Sequence, residues 1–186
     1  MKLYFYGGSF DPPHLGHKEV INYFSNKSDK FLIIPTHGSP LKTTKPIPYL
    51  HRKAMLRLML NDAILEKISI MDYELDTKTP YTVDLVKLIK EKFPLFEINM
   101  VIGCDQLNNI KKWKDYNYII DNVKLSVVSR PNFKFSSDFH VDSYVEHISV
   151  DISSSFIRKN ITNIHNMKNK IDQDVIDYIT VNKLYL

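Results

Sequence analysis

The sequence has almost no cysteine, because Cys104 is the single one in 186 residues. An intramolecular disulfide is therefore excluded, which fits a reducing cytosol. No apolar run approaches the about 20 residues that span a bilayer. No signal peptide is visible either, because Met1-Lys2 leads directly into a predicted strand. These absences predict a soluble, cytoplasmic protein with no membrane partner.

Strong charge of one sign is also missing. Lysine and arginine number 25 against 21 acidic residues, and the net charge is +4. No dense Lys/Arg block or arginine–aromatic repeat supports a nucleic-acid partner. The excess favours a basic cleft for phosphorylated small molecules, or it only reflects surface composition. The length predicts one domain over residues 1–186 with a substantial core, while a homo-oligomer stays open.

Two common phosphate-binding fingerprints are absent, since neither G-x-G-x-x-G nor G-x-x-x-x-G-K-[ST] occurs. The chain therefore has neither the dinucleotide-binding loop of a dehydrogenase nor the phosphate-binding loop of a Walker-type protein. Residues 6–17 instead read YGGSFDPPHLGH, directly after the apolar run 3–5. Glycines let the backbone approach phosphates, and a helix N-terminus supplies unpaired N–H groups and partial positive charge. The junction of the first strand and first helix is therefore predicted to bind a nucleotide phosphate.

Short apolar runs alternate with helical patterns along the chain. The predicted strands are 2–6, 31–34, 68–72, 98–102, 125–128 and, more weakly, 147–150. The predicted helices are 16–24, 51–60, 82–92, 106–113 and 174–179, with a long proline-rich loop at 35–49. This alternation predicts an α/β fold, a Rossmann-like doubly wound, mostly parallel sheet with helices on both faces. Such sheets bind ligands beyond the carboxyl ends of their strands.

A second motif reads ISSSFIR at residues 152–158. Serines at a helix start cap its backbone N–H groups, and Arg158 follows about one turn later. A guanidinium there can form forked bonds to a phosphate tail. The alternative is an ordinary capped surface helix.

Both motifs resemble those of the nicotinate mononucleotide adenylyltransferase family, in the H-x-G-H nucleotidyltransferase superfamily. The second matches the pattern I-S-S-[ST]-x-[IV]-R at every fixed position. The resemblance implies adenylyl transfer from ATP to nicotinate mononucleotide, giving nicotinate adenine dinucleotide and pyrophosphate in NAD biosynthesis. It also implies Mg²⁺ on the ATP phosphates, with no metal ligand from protein side chains. Two alternatives stay open. One is the same chemistry with nicotinamide mononucleotide, phosphopantetheine or a cytidylyl group, and the other is a non-catalytic nucleotide- or RNA-binding module.

The resemblance implies a role for each matching residue. The implied catalytic residues are His14, His17, Lys42 and Arg158. The implied ATP-binding residues are Gly7, Gly8, Ser9, Phe10, His14, His17, Gly103, Asp105, Ser153, Ser154 and Arg158. The implied substrate-binding residues are Tyr81, Thr82, Trp113 and Arg130. Asp11 is predicted to fix the signature loop rather than to act chemically. The alternatives are a solvated loop lysine at Lys42 and core packing at Trp113.

One departure concerns the acceptor. The family commonly has Gly-x-Ser-Tyr-Thr where residues 78–82 read KTPYT. Proline contributes no backbone N–H, so this loop has fewer groups that could hold a carboxylate. The choice between nicotinate and nicotinamide therefore stays open at this point.

Overall fold

The computed structural model describes residues 1–36, 45–60, 67–73, 81–129, 139–146 and 152–186. Within them, six strands form one parallel sheet in the order β3-β2-β1-β4-β5-β6. The strands are β1 Lys2–Gly8, β2 Lys30–Pro35, β3 Ile68–Ile70, β4 Glu97–Gly103, β5 Lys124–Val128 and β6 Ser143–Val145. The strand order reverses between β1 and β4, which in such sheets opens a crevice at the carboxyl ends of these two strands.

Helices cover both faces of the sheet. They are α1 Leu15–Ser25, α2 Tyr49–Met59, α3 Thr82–Lys92, α4 Cys104–Leu107, α5 Tyr116–Asn122, α6 Ser154–Lys159 and α7 Gln173–Val181, with 3₁₀ turns at Ile110–Lys112 and Ile161–Asn166. The predicted helix 82–92 has the same bounds as α3, and the predictions for α1, α2 and α7 differ by at most two residues at either end. Among the described residues, no helix is long and apolar enough to cross a membrane.

The core consists of two apolar layers, one on each face. On β1, Tyr4 belongs to one layer while Leu3 and Phe5 belong to the other, as the two-residue period of a strand requires. Residues of α1, α2 and α7 pack in the layer of Tyr4, and residues of α3, α4 and α5 pack in the opposite layer. A strand buried on both faces reads as a continuous apolar run. The predicted doubly wound α/β fold is therefore confirmed.

The predicted helix 106–113 is wrong. The chain instead forms the single turn of α4 and then a separate 3₁₀ turn, Ile110–Lys112. The side-chain amide of Asn109 donates to the carbonyl of Asp105 at 3.0 Å, which is the acceptor that its backbone N–H would use in a continuing α-helix. The backbone N–H of Asn109 bonds to Gln106 instead. Competition from the asparagine side chain therefore ends the helix after one turn.

The sixth strand occupies Ser143–Val145, before the predicted strand at 147–150. Residues 147–150 lie outside the described residues, as do residues 37–44 of the predicted loop 35–49. β6 pairs in parallel with β5, Tyr144 lying opposite Val127, and extends the sheet on the side away from β3.

Candidate active site

A cavity of about 340 Å³ lies at the carboxyl ends of β1 and β4. It is lined by both sequence motifs and by the start of α3. The predicted ATP-binding and substrate-binding residues that line it are Gly7, Gly8, Ser9, Phe10, His14, His17, Tyr81, Thr82, Gly103, Asp105, Trp113, Ser153, Ser154 and Arg158. Lys42 and Arg130 lie outside the described residues. The tertiary structure thus brings every described residue of the prediction to one cavity.

The signature loop turns sharply after β1. Phe10 has φ = 48°, in the left-handed region that residues other than glycine rarely adopt. A Cβ atom on Gly8 would lie 3.1 Å from Cζ of Phe10, so glycine lets this ring fold back over the strand end without being displaced. The buried ring then meets the His17 ring edge-on, with 4.9 Å between centroids. The strained turn therefore holds an aromatic support against the histidine.

The two histidines of the motif stack at the start of α1. Their ring centroids are 3.7 Å apart, and both side chains are buried. The backbone N–H of His14 donates to Nδ1 of His17 at 3.3 Å. Because Nδ1 accepts this bond, the proton of the neutral ring lies on Nε2. His17 therefore presents an N–H donor, which suits a phosphate oxygen.

Gly16 permits this stacking. A Cβ atom at position 16 would lie 3.1 Å from Nδ1 of His14, so the histidine ring would have to move by a few tenths of an ångström. The glycine between the two histidines therefore favours the close approach of the His14 ring to the backbone of α1.

Asp11 is buried and holds the loop together. Its Oδ1 accepts hydrogen bonds from the backbone N–H of Ile47 at 3.3 Å and from the hydroxyl of Tyr185 at 2.9 Å. Its Oδ2 lies 3.5 Å from Nη1 of Arg158. Burial, together with the Asp11 charge, raises the pKa of Tyr185, so its hydroxyl keeps the proton that it donates. The contacts are those of a loop-fixing residue, as the sequence predicts for Asp11.

The second motif docks directly onto the first. Oγ of Ser154 donates to the carbonyl of Pro12 at 2.8 Å, across 142 residues of sequence. Nη1 of Arg158 donates to the carbonyl of Asp11, and Nη2 donates to Oγ of Ser155 at 3.2 Å. Ser153 caps α6 by accepting from the N–H of Phe156. The guanidinium of Arg158 is therefore held at the cavity wall beside the histidine loop.

The far wall of the cavity comes from β4 and α3. Asp105 lies in α4, two residues after the end of β4, and Oδ2 of its carboxylate accepts from Nε2 of Gln106 at 3.2 Å. Carboxylate oxygens here are suited to sugar hydroxyls. Trp113 is half-buried and both lines the cavity and packs against the core layer of α3. Tyr81, at the start of α3, carries Nζ of Lys114 at 4.5 Å from its ring centroid.

Residues 5–160 match the model of the cytidylyltransferase-like family. The chain belongs to the cytidylyltransferase-like family. It is also similar along its whole length to proteins named probable nicotinate-nucleotide adenylyltransferase. The relative from Flavobacterium psychrophilum is 30% identical over 100% of this chain and 99% of its own. The relative from Leptospira interrogans is 32% identical over 97% of this chain and 94% of its own.

Among solved structures, this family member resembles Plasmodium falciparum nicotinic acid mononucleotide adenylyltransferase. The structure complexed with NaAD has a TM-score of 0.84 at 25% identity and covers 99% of this chain and 97% of its own. The structure of that enzyme complexed with APC has a TM-score of 0.83 and the same identity, and covers 99% of this chain and 96% of its own. The family predicted from the motifs and the fold predicted from the strand–helix alternation are therefore confirmed.

Arg52 also supports this cytidylyltransferase-like site, although it belongs to no motif. The side chain is fully buried and donates to the carbonyls of Ser9, Thr36 and Ile47 at 2.5 to 3.0 Å. It thus joins the signature loop to the end of β2 and to the segment before α2. A signal exists in the sequence, because position 52 lies in the apolar stripe of α2 with Met55. A charged residue in a buried stripe requires specific partners.

Replacing Tyr185 by phenylalanine should lower stability and loosen the cavity wall. The change removes one donor from the buried Asp11, and a hydrogen bond to a charged group is worth about 1.5–3 kcal/mol. The KM for ATP should rise several-fold because Arg158 shares Asp11 with Tyr185. Urea unfolding and initial rates measure the two effects.

The matched control for Tyr185 is Tyr178→Phe. Its hydroxyl lies 3.0 Å from Nδ1 of His51, and neither residue lines the cavity. This variant should keep the KM for ATP while losing a little stability. Equal KM values in the two variants would contradict a positioning role for Tyr185.

Proposed function

We propose that this cytidylyltransferase-like protein transfers the adenylyl group of ATP to nicotinate mononucleotide. The products are nicotinate adenine dinucleotide and pyrophosphate, a step of NAD biosynthesis. The observation that carries the proposal is the meeting of both motifs at one cavity, since Ser154 and Arg158 bond to the backbone of the loop that presents His14 and His17. The names of the full-length relatives support the same activity.

The reaction is an in-line displacement. An oxygen of the mononucleotide 5′-phosphate forms a bond to the α-phosphorus of ATP, and the bond from that phosphorus to the bridging oxygen of the β-phosphate breaks. The bonding electron pair leaves with pyrophosphate. The attacking phosphate is already anionic near neutral pH, so no protein nucleophile or strong base is needed. Catalysis then consists of positioning two anions and stabilising the charge that develops.

The phosphate-binding roles are assigned to the cations and donors of the two motifs. Nε2 of His17 and the guanidinium of Arg158 would donate to the triphosphate, with His14 stacked on His17 to keep it in place. Lys42, outside the described residues, would add a further cation. The backbone of Gly7-Gly8-Ser9-Phe10, the hydroxyl of Ser153 and the backbone N–H of Ser154 at the start of α6 would complete the phosphate contacts.

The ribose and acceptor roles are assigned to the opposite wall. Asp105 and Gly103 would contact the ribose of the nucleotide, since both residues line the cavity at the carboxyl end of β4. Tyr81, Thr82 and Trp113 would hold the pyridine ring, because aromatic rings stack favourably on one another. Arg130 is a further candidate, although it lies outside the described residues.

We propose that ATP binds as its Mg²⁺ complex, in which the metal would supply positive charge to the leaving pyrophosphate. Among the residues that the structure describes, no group of three or more histidine, cysteine, aspartate or glutamate side chains could hold a metal ion. Arg158 and the two histidines line the cavity and suit the phosphates of ATP that bring Mg²⁺ with them. The carboxylate of Asp11 is already in contact with Tyr185 and Arg158. Omitting Mg²⁺ from the assay should abolish turnover.

The decisive assay is pyrophosphate release from ATP and Mg²⁺, offering nicotinate mononucleotide, nicotinamide mononucleotide and phosphopantetheine in parallel. Rapid release with nicotinate mononucleotide and formation of the dinucleotide are expected. Pyrophosphate release with phosphopantetheine alone, or with CTP in place of ATP, would agree with nucleotidyl transfer but would contradict the proposed substrates. Nucleotide binding without release under any condition would favour the non-catalytic alternative.

Residues 1–186 are further proposed to act as one nucleotidyltransferase domain. The support is the bond between Tyr185 and Asp11, which joins positions 174 residues apart in sequence. A single cooperative unfolding transition seen by two different probes would agree with this, whereas two separate transitions would contradict it.

A further inference from the structure

Two lysines line the cavity beside the proposed pyridine pocket, on the segment that carries Trp113. They are Lys112 and Lys114, and neither belongs to a motif. Nζ of Lys112 donates to Oδ1 of Asn109 at 2.9 Å, so this ammonium is tied to its own segment. Lys114 differs, because its ammonium reaches across to α3 and lies 4.5 Å from the ring centroid of Tyr81.

The ammonium of Lys114 lies over an aromatic ring and is paired with no carboxylate among the described residues. A cation over an aromatic face keeps its full charge and is attracted to the ring quadrupole. Tyr81 is itself 40% exposed, so ring and ammonium together form a surface at which a ligand can be received. An aromatic acid matches such a surface, with its ring against Tyr81 or Trp113 and its carboxylate toward the ammonium.

We propose that Lys114 is a specificity-determining residue that attracts the carboxylate of nicotinate mononucleotide and so favours it over nicotinamide mononucleotide. This inference rests on the proposed adenylyl transfer to a pyridine mononucleotide. The two acceptors differ in one group, which is an anion in the acid and neutral in the amide. An ammonium stabilises the anion by direct charge attraction, while a neutral amide gains little from it.

The neighbouring loop explains why this chain needs such a cation. Pro80 precedes Tyr81 and has no backbone N–H to offer a carboxylate. A lysine side chain is long and flexible, and its ammonium has three N–H donors. It can therefore reach the carboxylate of the pyridine ring from several directions. Lys114 would therefore supply a donor to the carboxylate that Pro80 cannot supply.

The test is Lys114→Met in the full chain, with kcat and KM measured for both mononucleotides at saturating MgATP. The value of kcat/KM for nicotinate mononucleotide should fall about tenfold through KM, as expected for the loss of a partly screened charge pair. The value for nicotinamide mononucleotide should change less than twofold. Lys114→Arg keeps the charge and should restore most of the preference.

Lys87→Met provides the matched control. Nζ of Lys87 also lies over a tyrosine ring, 5.2 Å from the centroid of Tyr118, but neither residue lines the cavity. This variant should keep the ratio of the two kcat/KM values. A wild-type protein without preference for the acid would overturn the inference, and so would a Lys114→Met variant that weakens both acceptors equally.

The inference and the proposed function fail differently. If the wild-type chain transfers adenylyl groups to neither mononucleotide, the proposed function is wrong and the inference falls with it. If the wild type prefers the acid and Lys114→Met retains that preference, only the inference is wrong.

Discussion

Replacing His17 by alanine should lower kcat by about two to three orders of magnitude, the usual effect of removing one preorganised donor to developing charge. Nδ1 of His17 accepts the backbone N–H of His14, which leaves Nε2 as the donor for the triphosphate. The donor is fixed before substrate binds, because the ring is stacked on His14 and supported by Phe10. Such a group stabilises the transition state without reorganising during the reaction.

Two further variants separate the hydrogen bond that His17 accepts at Nδ1 from the hydrogen bond that it would donate through Nε2. In His17→Asn, the amide oxygen can still accept from the backbone of His14, but nothing replaces Nε2, so kcat should stay near that of the alanine variant. In His17→Gln, the amide nitrogen reaches toward the position of Nε2, so part of the rate should return. Steady-state rates of pyrophosphate release, with circular dichroism to verify folding, measure this series.

His140→Ala serves as the matched control, since that side chain is 85% exposed and does not line the cavity. It should leave both kcat and stability unchanged. Near-normal kcat in a folded His17→Ala protein would rule out the assigned role.

Replacing Arg52 by methionine should destabilise the chain by at least about 3 kcal/mol. Methionine fills similar volume but leaves the carbonyls of Ser9, Thr36 and Ile47 without their shared donor. Each buried polar group that loses its partner costs about 1–3 kcal/mol. Because Ser9 belongs to the signature loop, the KM for ATP should also rise. This rise should be seen at temperatures well below that at which the variant unfolds.

Urea unfolding measures the loss of stability at Arg52, and Arg57→Met on the exposed face of the same helix is the control. The control should stay within about 0.5 kcal/mol of the wild type. Arg52→Lys should recover only part of the stability, because one ammonium cannot reproduce a guanidinium that reaches three carbonyls. A methionine variant as stable as the Arg57 control would contradict the argument.

Most of the fold could be predicted from local patterns. Strands buried on both faces read as apolar runs, and amphipathic helices such as α3 carry a 3.6-residue period, so both are visible without a structure. The prediction of a helix at 106–113 was wrong because the side chain of Asn109 competes for a backbone acceptor. The hydrophobic period of the sequence does not reveal this competition. The strand Ser143–Val145 lies at the edge of the sheet and none of its three residues is buried, so it lacks the apolar run that indicates a strand.

The chemical groups of the site were determined by the sequence itself, because H-x-G-H and S-S-S-x-x-R at helix starts place donors by local geometry alone. Their assembly was decided only by the tertiary structure. The Tyr185–Asp11 and Arg52–Ser9 bonds, and the reach of Lys114 to Tyr81, join residues that no local spacing relates. Hydrogen bonds and charge contacts depend on separations of a few ångströms in space, and only the folding of the sheet brings such distant segments to that range.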